Sequence, residues 1–340
     1  MILKKKKPKG ERTVASLETK YLGLSLKSPV IVESSPLTQN VVSLEKCEEA
    51  GAGAVVLKSI FEEQIESEVT AEVEANDEYL NFSSAHNVYK RAATDFYIDK
   101  YIKLLVSAKK ELSIPVIASV CCKSLSSWSE YAERFVENGA DAIELNYYPI
   151  TSDARVDGRK VDDEFFSFIE FARKHISCPL AIKMGSKYSA LANKIKAIDK
   201  EGIEGVVLFN RTFRPDVDIE KMQIVSGCPT TDGNDYTDTL RWTALMSGEV
   251  KMDICSNTGI HSSETAIKML LAGAKAFEVA SLPIKEGFGS ITRLNNEIKA
   301  WMERHNFNSI SDFCGRLAQE ESSDGYKWER TQFLKIISRD

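Results

Sequence analysis

Gly51-Ala-Gly-Ala-Val-Val-Leu57, Gly139-Ala-Asp-Ala-Ile-Glu-Leu145, Gly202-Ile-Glu-Gly-Val-Val-Leu208 and Gly273-Ala-Lys-Ala-Phe-Glu-Val279 are four versions of one step along the chain. Each follows a helix-like stretch and runs directly into an apolar, β-prone segment. The Gly suits the left-handed residue that ends a helix, and the small residues after it let the chain turn under a sheet before a buried strand begins. The copies are unequally spaced and have further strand candidates between them. That spacing excludes a short-period solenoid and points to alternating βα units, an α/β fold of the TIM (β/α)8 barrel type.

Working outward from these junctions, eight strands are expected at about 28–36, 54–60, 115–121, 142–148, 180–184, 205–210, 252–256 and 277–282. Helices are expected at about 43–50, 97–112, 127–138, 162–175, 190–200, 240–246, 263–271 and 291–305. Two long stretches break the rhythm, an acidic-then-polar insertion at 62–95 and a loop at 212–238 rich in Asp, Thr, Gly and Pro. Insertions of this length suit a lid or substrate loop. The reading is one barrel domain over 19–317, a disordered basic tail over 1–18 and a C-terminal extension over 318–340.

The 340 residues are 43% hydrophobic and 28% charged, a balance that suits a large globular core. A net charge of −6 argues against a nucleic-acid partner, because neutralising phosphates requires a basic face. No apolar run approaches membrane-spanning length, and Met1-Ile-Leu3 is too short for a signal-peptide core, so a cytoplasmic protein is expected. Seven cysteines are scattered without a Cys-x-x-Cys pair. They read as buried thiols in a reducing compartment, with no zinc or other metal site expected.

In a barrel of this kind the chemistry sits in the loops after the strands. The polar strand ends are Ser34 and Ser35, Lys58, Cys121, Asn146 with Tyr147 and Tyr148, Lys183, Asn210 with Arg211, Asn257 to Gly259, and Ser281. A Lys at the mouth is costly to bury without an anionic partner. For either lysine alone, a salt bridge with Glu33 or Glu144 competes with a ligand contact, and two asparagines at the same level favour the ligand. Ser256-Asn-Thr-Gly-Ile260 opens onto a helix-capping sequence, and Ala280-Ser281 ends the eighth strand. A barrel's phosphate site commonly occupies these two loops.

Taken together, these residues resemble the dihydroorotate dehydrogenase family of FMN flavoproteins, from about Thr19 to Leu317. Ser28-Pro-Val-Ile-Val-Glu-Ser-Ser-Pro36 resembles the family's Asn-Pro-Phe-x-x-Ala-Ser-Gly segment, and Gly53-Ala-Val-Val-Leu-Lys-Ser59 its Gly-Ala-x-x-x-Lys-Ser strand. Ile143-Glu-Leu-Asn146 is similar to Thr-Glu-Leu-Asn, and Pro179-Leu-Ala-Ile-Lys183 to Pro-Leu-x-Val-Lys. Asn257-Thr-Gly-Ile260 with Ala280-Ser281 resembles Thr-Gly-Gly-Ile and Gly-Thr, and Asn308-Ser-Ile-Ser-Asp-Phe-Cys-Gly-Arg-Leu317 the family's closing segment. The resemblance implies FMN as cofactor, held by Ser34, Ser35, Lys58, Asn146, Lys183, Thr258, Gly259, Ala280 and Ser281. Lys183 would stand at the pyrimidine edge of the isoalloxazine, with Asn81 and Asn210 on a small-molecule substrate. A homodimer and a separate electron-transfer partner are compatible with the family pattern.

The departures matter equally. The family's catalytic Cys or Ser follows the Glu-Leu-Asn strand, whereas here the segment reads Asn146-Tyr-Tyr-Pro-Ile-Thr151. The substrate loop Asn-x-Met-Gly-Leu-x-Asn is replaced by Asn81-Phe-Ser-Ser-Ala-His-Asn87. Thr258 stands where a phosphate-loop glycine is expected and would be strained at a positive φ. The expected function is FMN-dependent hydride transfer between flavin N5 and a dihydroorotate-like, dihydropyrimidine-like or other conjugated CH–CH substrate. Tyr148 or Tyr147 is the candidate proton donor, with His86 in the long loop as a second. The alternatives are a flavin-binding pseudoenzyme, or a phosphate-binding aldolase using Lys183 or Lys58 as a Schiff base.

Overall fold

Side chains that alternate along each strand divide the core into two layers, and that division is what closes the barrel. The computed structural model describes residues 15–65, 67–68, 83–121, 125–211, 214–323 and 325–329. The barrel strands are β3 (Val30–Val32), β4 (Ala54–Val56), β6 (Val116–Cys121), β7 (Ala142–Tyr147), β8 (Leu180–Met184), β9 (Gly205–Leu208), β12 (Asp253–Ser256) and β13 (Ala276–Val279). All pair in parallel in the order β4-β3-β13-β12-β9-β8-β7-β6, and β4 pairs with β6 to complete the ring. A two-residue strand, β5 (Ile60–Phe61), extends the pairing beside β6.

Ile31, Ala54, Val56, Ile117, Ala142, Ala181, Val207, Cys255 and Ala276 face the barrel interior, and the residues between them pack against the helices. Inward positions are small or medium because eight strands leave room only for layered side chains. A hairpin of β1 (Thr19–Tyr21) and β2 (Leu24–Leu26) closes the N-terminal end, placing Tyr21, Leu22 and Leu26 in the inner cluster. This plug was not foreseen. Residues 15–18, assigned above to the tail, already pack: Ala15 and Leu17 are buried and Ser16 bridges Ser309.

The helices are α1 (Val41–Glu49), α2 (Ser83–Glu111), α3 (Leu125–Glu137), α4 (Gly158–His175), α5 (Leu191–Lys200), α6 (Thr237–Met246), α7 (Ser263–Ala272), α8 (Ser281–Glu286) and α9 (Gly289–Arg304). Helix α2 begins fourteen residues before the expected start at 97. Along this earlier part Arg91 and Phe96 are exposed, and Ile98 beyond them is buried. Arg134 on α3 ties down this part of the helix through Asp95 and Asp99 at 3.0 and 2.6 Å. Part of the 212–238 loop is a hairpin, β10 (Pro215–Asp218) with β11 (Gln223–Ser226), and the end of strand eight is the short helix α8.

The C-terminal segment packs on the outside of the ring. The Leu317 and Gln319 amides donate to the Leu271 and Ala244 carbonyls, and the Trp328 indole donates to the Leu317 carbonyl. Among the described residues no helix is long and apolar enough to cross a membrane, and no group of three His, Cys, Asp or Glu side chains could hold a metal.

Candidate active site

The inward alternation that fills the barrel below continues to its mouth with charged side chains: Glu33 after β3, Glu144 on β7, Lys183 on β8 and Glu278 on β13. The Lys183 ammonium donates to Glu278 at 2.7 Å and to Glu33 at 2.8 Å, with Glu144 at 3.9 Å. The Lys183, Glu144 and Glu278 side chains are 3, 2 and 1% exposed, against 19% for Glu33. Asn257 donates to the same Glu33 oxygen at 2.8 Å. Burial opposes the charge on Lys183, but the three carboxylates prevail and hold its pKa well above the usual lysine value. Burial first, and then the Glu144 charge, push Glu278 well above the carboxylate range. The salt-bridge alternative for Lys183 is therefore realised.

Above this cluster lies a cavity of about 420 Å³ whose lining includes Glu33, Glu278, Lys58, Asn210, Arg211 and Gly259. Ser34, Ser35, Thr258, Ala280 and Ser281 line the same space. Thr258 has φ +77°, the strained geometry anticipated for it, and is held by donating its amide to Asn257 Oδ1 and its hydroxyl to the Phe209 carbonyl, both at 2.6 Å. Gly259 has φ +75°, and a Cβ there would lie 2.3 Å from the Tyr236 backbone nitrogen. Ser281 Oγ accepts from the Thr231 amide at 2.9 Å, and Thr231 Oγ1 shares a 2.7 Å bond with His261 Nε2. Lys285 donates to the Thr231 carbonyl at 2.8 Å. Burial, then the charge of Lys285, lower the His261 pKa, so its imidazole stays neutral near pH 7.

The serine hydroxyls at this end also have structural roles. Ser34 bonds Ser59, which bonds Ser119, at 2.8 and 2.7 Å, while Ser35 caps the turn Pro36–Thr38. Lys58 is different. Half-buried beside the cavity, it lies 5.0 Å from the Phe61 ring and forms no ion pair within 4 Å among the described residues. Burial lowers its pKa, against the opposing influence of Cys121 and Glu33.

A second cavity, about 880 Å³, opens over β6 and β7 and is lined by Cys121, Trp128, Asn146, Tyr147, Tyr148 and Lys160 among others. Asn210 Nδ2 donates to Asn146 Oδ1 at 2.6 Å, so one hydrogen-bonded pair joins the walls of the two cavities. Tyr147 alternates outward from β7, stacks on Phe168 at 4.3 Å and meets Phe165 edge-on. Burial and then Glu164 push its pKa up to about 12. Tyr148 lies on the face of Gly185, where a Cβ would come within 2.4 Å of its ring. Cys121 is pushed up to about 12 by burial, with Glu63 and Glu62 adding to it, and so is a protonated thiol at neutral pH. Asn81 lies outside the described residues, as does the side chain of His86.

Among the described residues Arg211 Nε is a buried polar atom without a hydrogen-bond partner, and its residue lines the first cavity together with Arg214. Sequence reasoning noted Arg211 at a strand end without giving it a role, and passed over Arg214, Thr231, His261 and Lys285. Arg211 was readable as a strand-end residue beside Asn210. The other contacts depend on how the 227–236 segment folds back over β12 and β13, and no motif encodes that.

A closed barrel with a polar cavity at the C-terminal ends of its strands defines a (β/α)8 enzyme scaffold. The chain belongs to the dihydroorotate dehydrogenase family: residues 16–302 match the family model described as Dihydroorotate dehydrogenase. It is 25% identical over 307 residues to the catalytic subunit of dihydroorotate dehydrogenase B (NAD(+)) of Thermoplasma acidophilum, covering 89% of this chain and 99% of the relative. The corresponding subunit of Methanosarcina mazei is 25% identical over 306 residues, covering 88% and 94%. The chloroplastic dihydropyrimidine dehydrogenase (NADP(+)) of Arabidopsis thaliana is 22% identical over 333 residues, covering 87% and 76%. The class is thus a flavoprotein oxidoreductase family on a TIM barrel.

Proposed function

We propose that this chain is an FMN-dependent oxidoreductase moving a hydride between flavin N5 and a CH–CH pair of a small cyclic, dihydropyrimidine-like substrate. The observation that carries the reading is the first cavity. It falls within the range of about 300–1,000 Å³ usual for small-molecule sites, and one end is built for an anion. Gly259 lines it at positive φ and packs so closely on the Tyr236 backbone that no Cβ fits there, and Arg211 brings a guanidinium to the same lining. These residues fit FMN, with the phosphate at Thr258, Gly259, Ala280 and Ser281 and the ring over Ser34, Ser35 and Lys58.

When bound, FMN supplies hydride transfer at N5. The protein's own residues do the rest. Lys58, a cation without an ion pair among the described residues, holds an electron-rich edge of the ligand. Asn146 and Asn210 exchange their mutual bond for bonds to ring and substrate, and Asn81 is the further substrate contact that the resemblance assigns. Tyr148, on the wall of the second cavity, delivers a proton to substrate carbon. A phenol hydroxyl is a better proton donor than acceptor in general acid–base catalysis at neutral pH, which favours reduction of an activated double bond. Tyr147, packed in the helical layer, positions its neighbour.

Two of the relatives are named as catalytic subunits, which supports a separate electron-transfer partner for this chain as well. The aldolase alternative loses Lys183, because an amine between two carboxylates is held protonated and cannot attack a carbonyl. The test is the visible spectrum of the purified protein with the released cofactor identified by mass, followed by flavin reduction or reoxidation with dihydropyrimidines and other conjugated compounds. Bound FMN that turns over supports the reading. Bound FMN that no candidate substrate reduces or reoxidises above background makes the chain a flavin-binding pseudoenzyme. A colourless chain that takes up no FMN refutes flavin function and leaves Lys58 to be tested by borohydride trapping.

A further inference from the structure

The Lys183 cluster carries more negative charge than its single cation can offset. Glu33 from β3, Glu144 from β7 and Glu278 from β13 surround one ammonium from β8, and Asn257 adds a neutral donor. Cys255 on β12 and Tyr21 on the plugging hairpin face the group from below, and Lys58, Arg211 and Arg214 are the other cations lining the cavity. Glu33 and Glu278 line the cavity, while the Lys183 side chain behind them is 3% exposed. The two residues that would feel a ligand on this floor are therefore acidic side chains, and the lysine's charge is already met by Glu33.

We propose that Glu33 is a positioning residue that neutralises Lys183 toward the cavity, so that the floor favours a neutral ring over an anionic one and the bound flavin is a low-potential, reducing couple. This rests on FMN occupying the cavity. Two electrons and one proton, provided in a titration by dithionite and water, convert the neutral oxidised ring to an anion. A bare ammonium beneath the ring would stabilise that charge, and a carboxylate already paired with the ammonium withholds the stabilisation. A low potential and the proton-donating Tyr148 then point to the same direction, reduction of substrate.

The experiment is a spectroscopic reductive titration against reference dyes, using protein loaded with FMN, for the unaltered chain and for Glu33→Ala, Glu33→Gln and Glu33→Asp. Removing the charge is expected to improve binding of the reduced over the oxidised cofactor at least tenfold, raising the midpoint potential by about 30 mV or more for a two-electron couple. Glu33→Gln keeps the shape and removes the charge, so it tests the idea if the alanine variant folds poorly. Glu33→Asp keeps the charge and should return the potential to that of the unaltered chain. An unchanged or lower potential in the alanine and glutamine variants overturns the proposal while leaving the flavin reading intact. An unaltered chain whose spectrum shows no FMN after incubation with the cofactor overturns both.

Discussion

Replacing Glu278 with Gln tests whether the buried floor of the site holds a proton. The Glu278 side chain is 1% exposed, accepts from Lys183 at 2.7 Å and has one carboxyl oxygen buried without a partner. Burial, then the Glu144 charge, raise its folded pKa well above the carboxylate range, against an unfolded value of about 4.3. With the folded pKa raised, the native state binds a proton that the unfolded chain releases. The contribution to stability is therefore complete below the unfolded pKa and is lost as pH rises through the folded one. Between the two values the loss approaches about 1.4 kcal/mol per pH unit for one proton, against the ~5–15 kcal/mol typical of a folded domain. Glu278→Gln keeps the volume and the acceptor for Lys183 while removing the titration. Urea unfolding at pH 5, 6 and 7, with reversibility checked by refolding, should show the variant gaining on the unaltered chain as pH rises, at unchanged slope against urea. A stability difference that stays flat with pH, or that grows in favour of the unaltered chain, would refute the assignment of a proton to this carboxyl.

Three further outcomes follow from the geometry. Tyr148→Phe should lower substrate turnover on the order of 100-fold or more, as loss of a general acid does, with FMN content unchanged; full turnover in the variant would remove the proton-donor role. Gly259→Ala should cost about 1–2 kcal/mol for a non-glycine residue at positive φ and, by displacing the 235–236 backbone, weaken FMN binding, read by flavin fluorescence on titration; unchanged affinity would place the phosphate elsewhere. Tyr147→Leu should lower the melting temperature through loss of its stacking on Phe168, worth about 0.5–1.5 kcal/mol beyond area burial, and reduce turnover far less than Tyr148→Phe.

The eight strands and most helices were legible because each αβ junction carries its own signal, a Gly that ends the helix and an apolar run behind it. Gly51, Gly139, Gly202 and Gly273 all take the positive φ that this reading requires. What escaped was structure without a core-facing period. The part of α2 that carries Arg91 and Phe96 is exposed, and β10 and β11 form a surface ribbon with exposed Val217, Met222 and Ile224. The β1–β2 plug escaped for a different reason: its two strands of three residues are too short to show alternation, though Tyr21 and Leu26 end up inside the barrel.

The site shows the same division more sharply. Alternation along a strand reveals that Glu144 and Asn146 point inward and Tyr147 outward, so the packing of Tyr147 on Phe168 was readable from the strand itself. Which inward side chains meet is set by the closure of the ring, and no local pattern records it. Glu33 stands where the resembling family segment has Ala, a departure plain in the sequence. Its meaning appears only when β3 and β8, far apart in the chain, bring Glu33 and Lys183 to 2.8 Å. A motif lysine can thus be in place while one residue on a distant strand sets which charges it is already paired with.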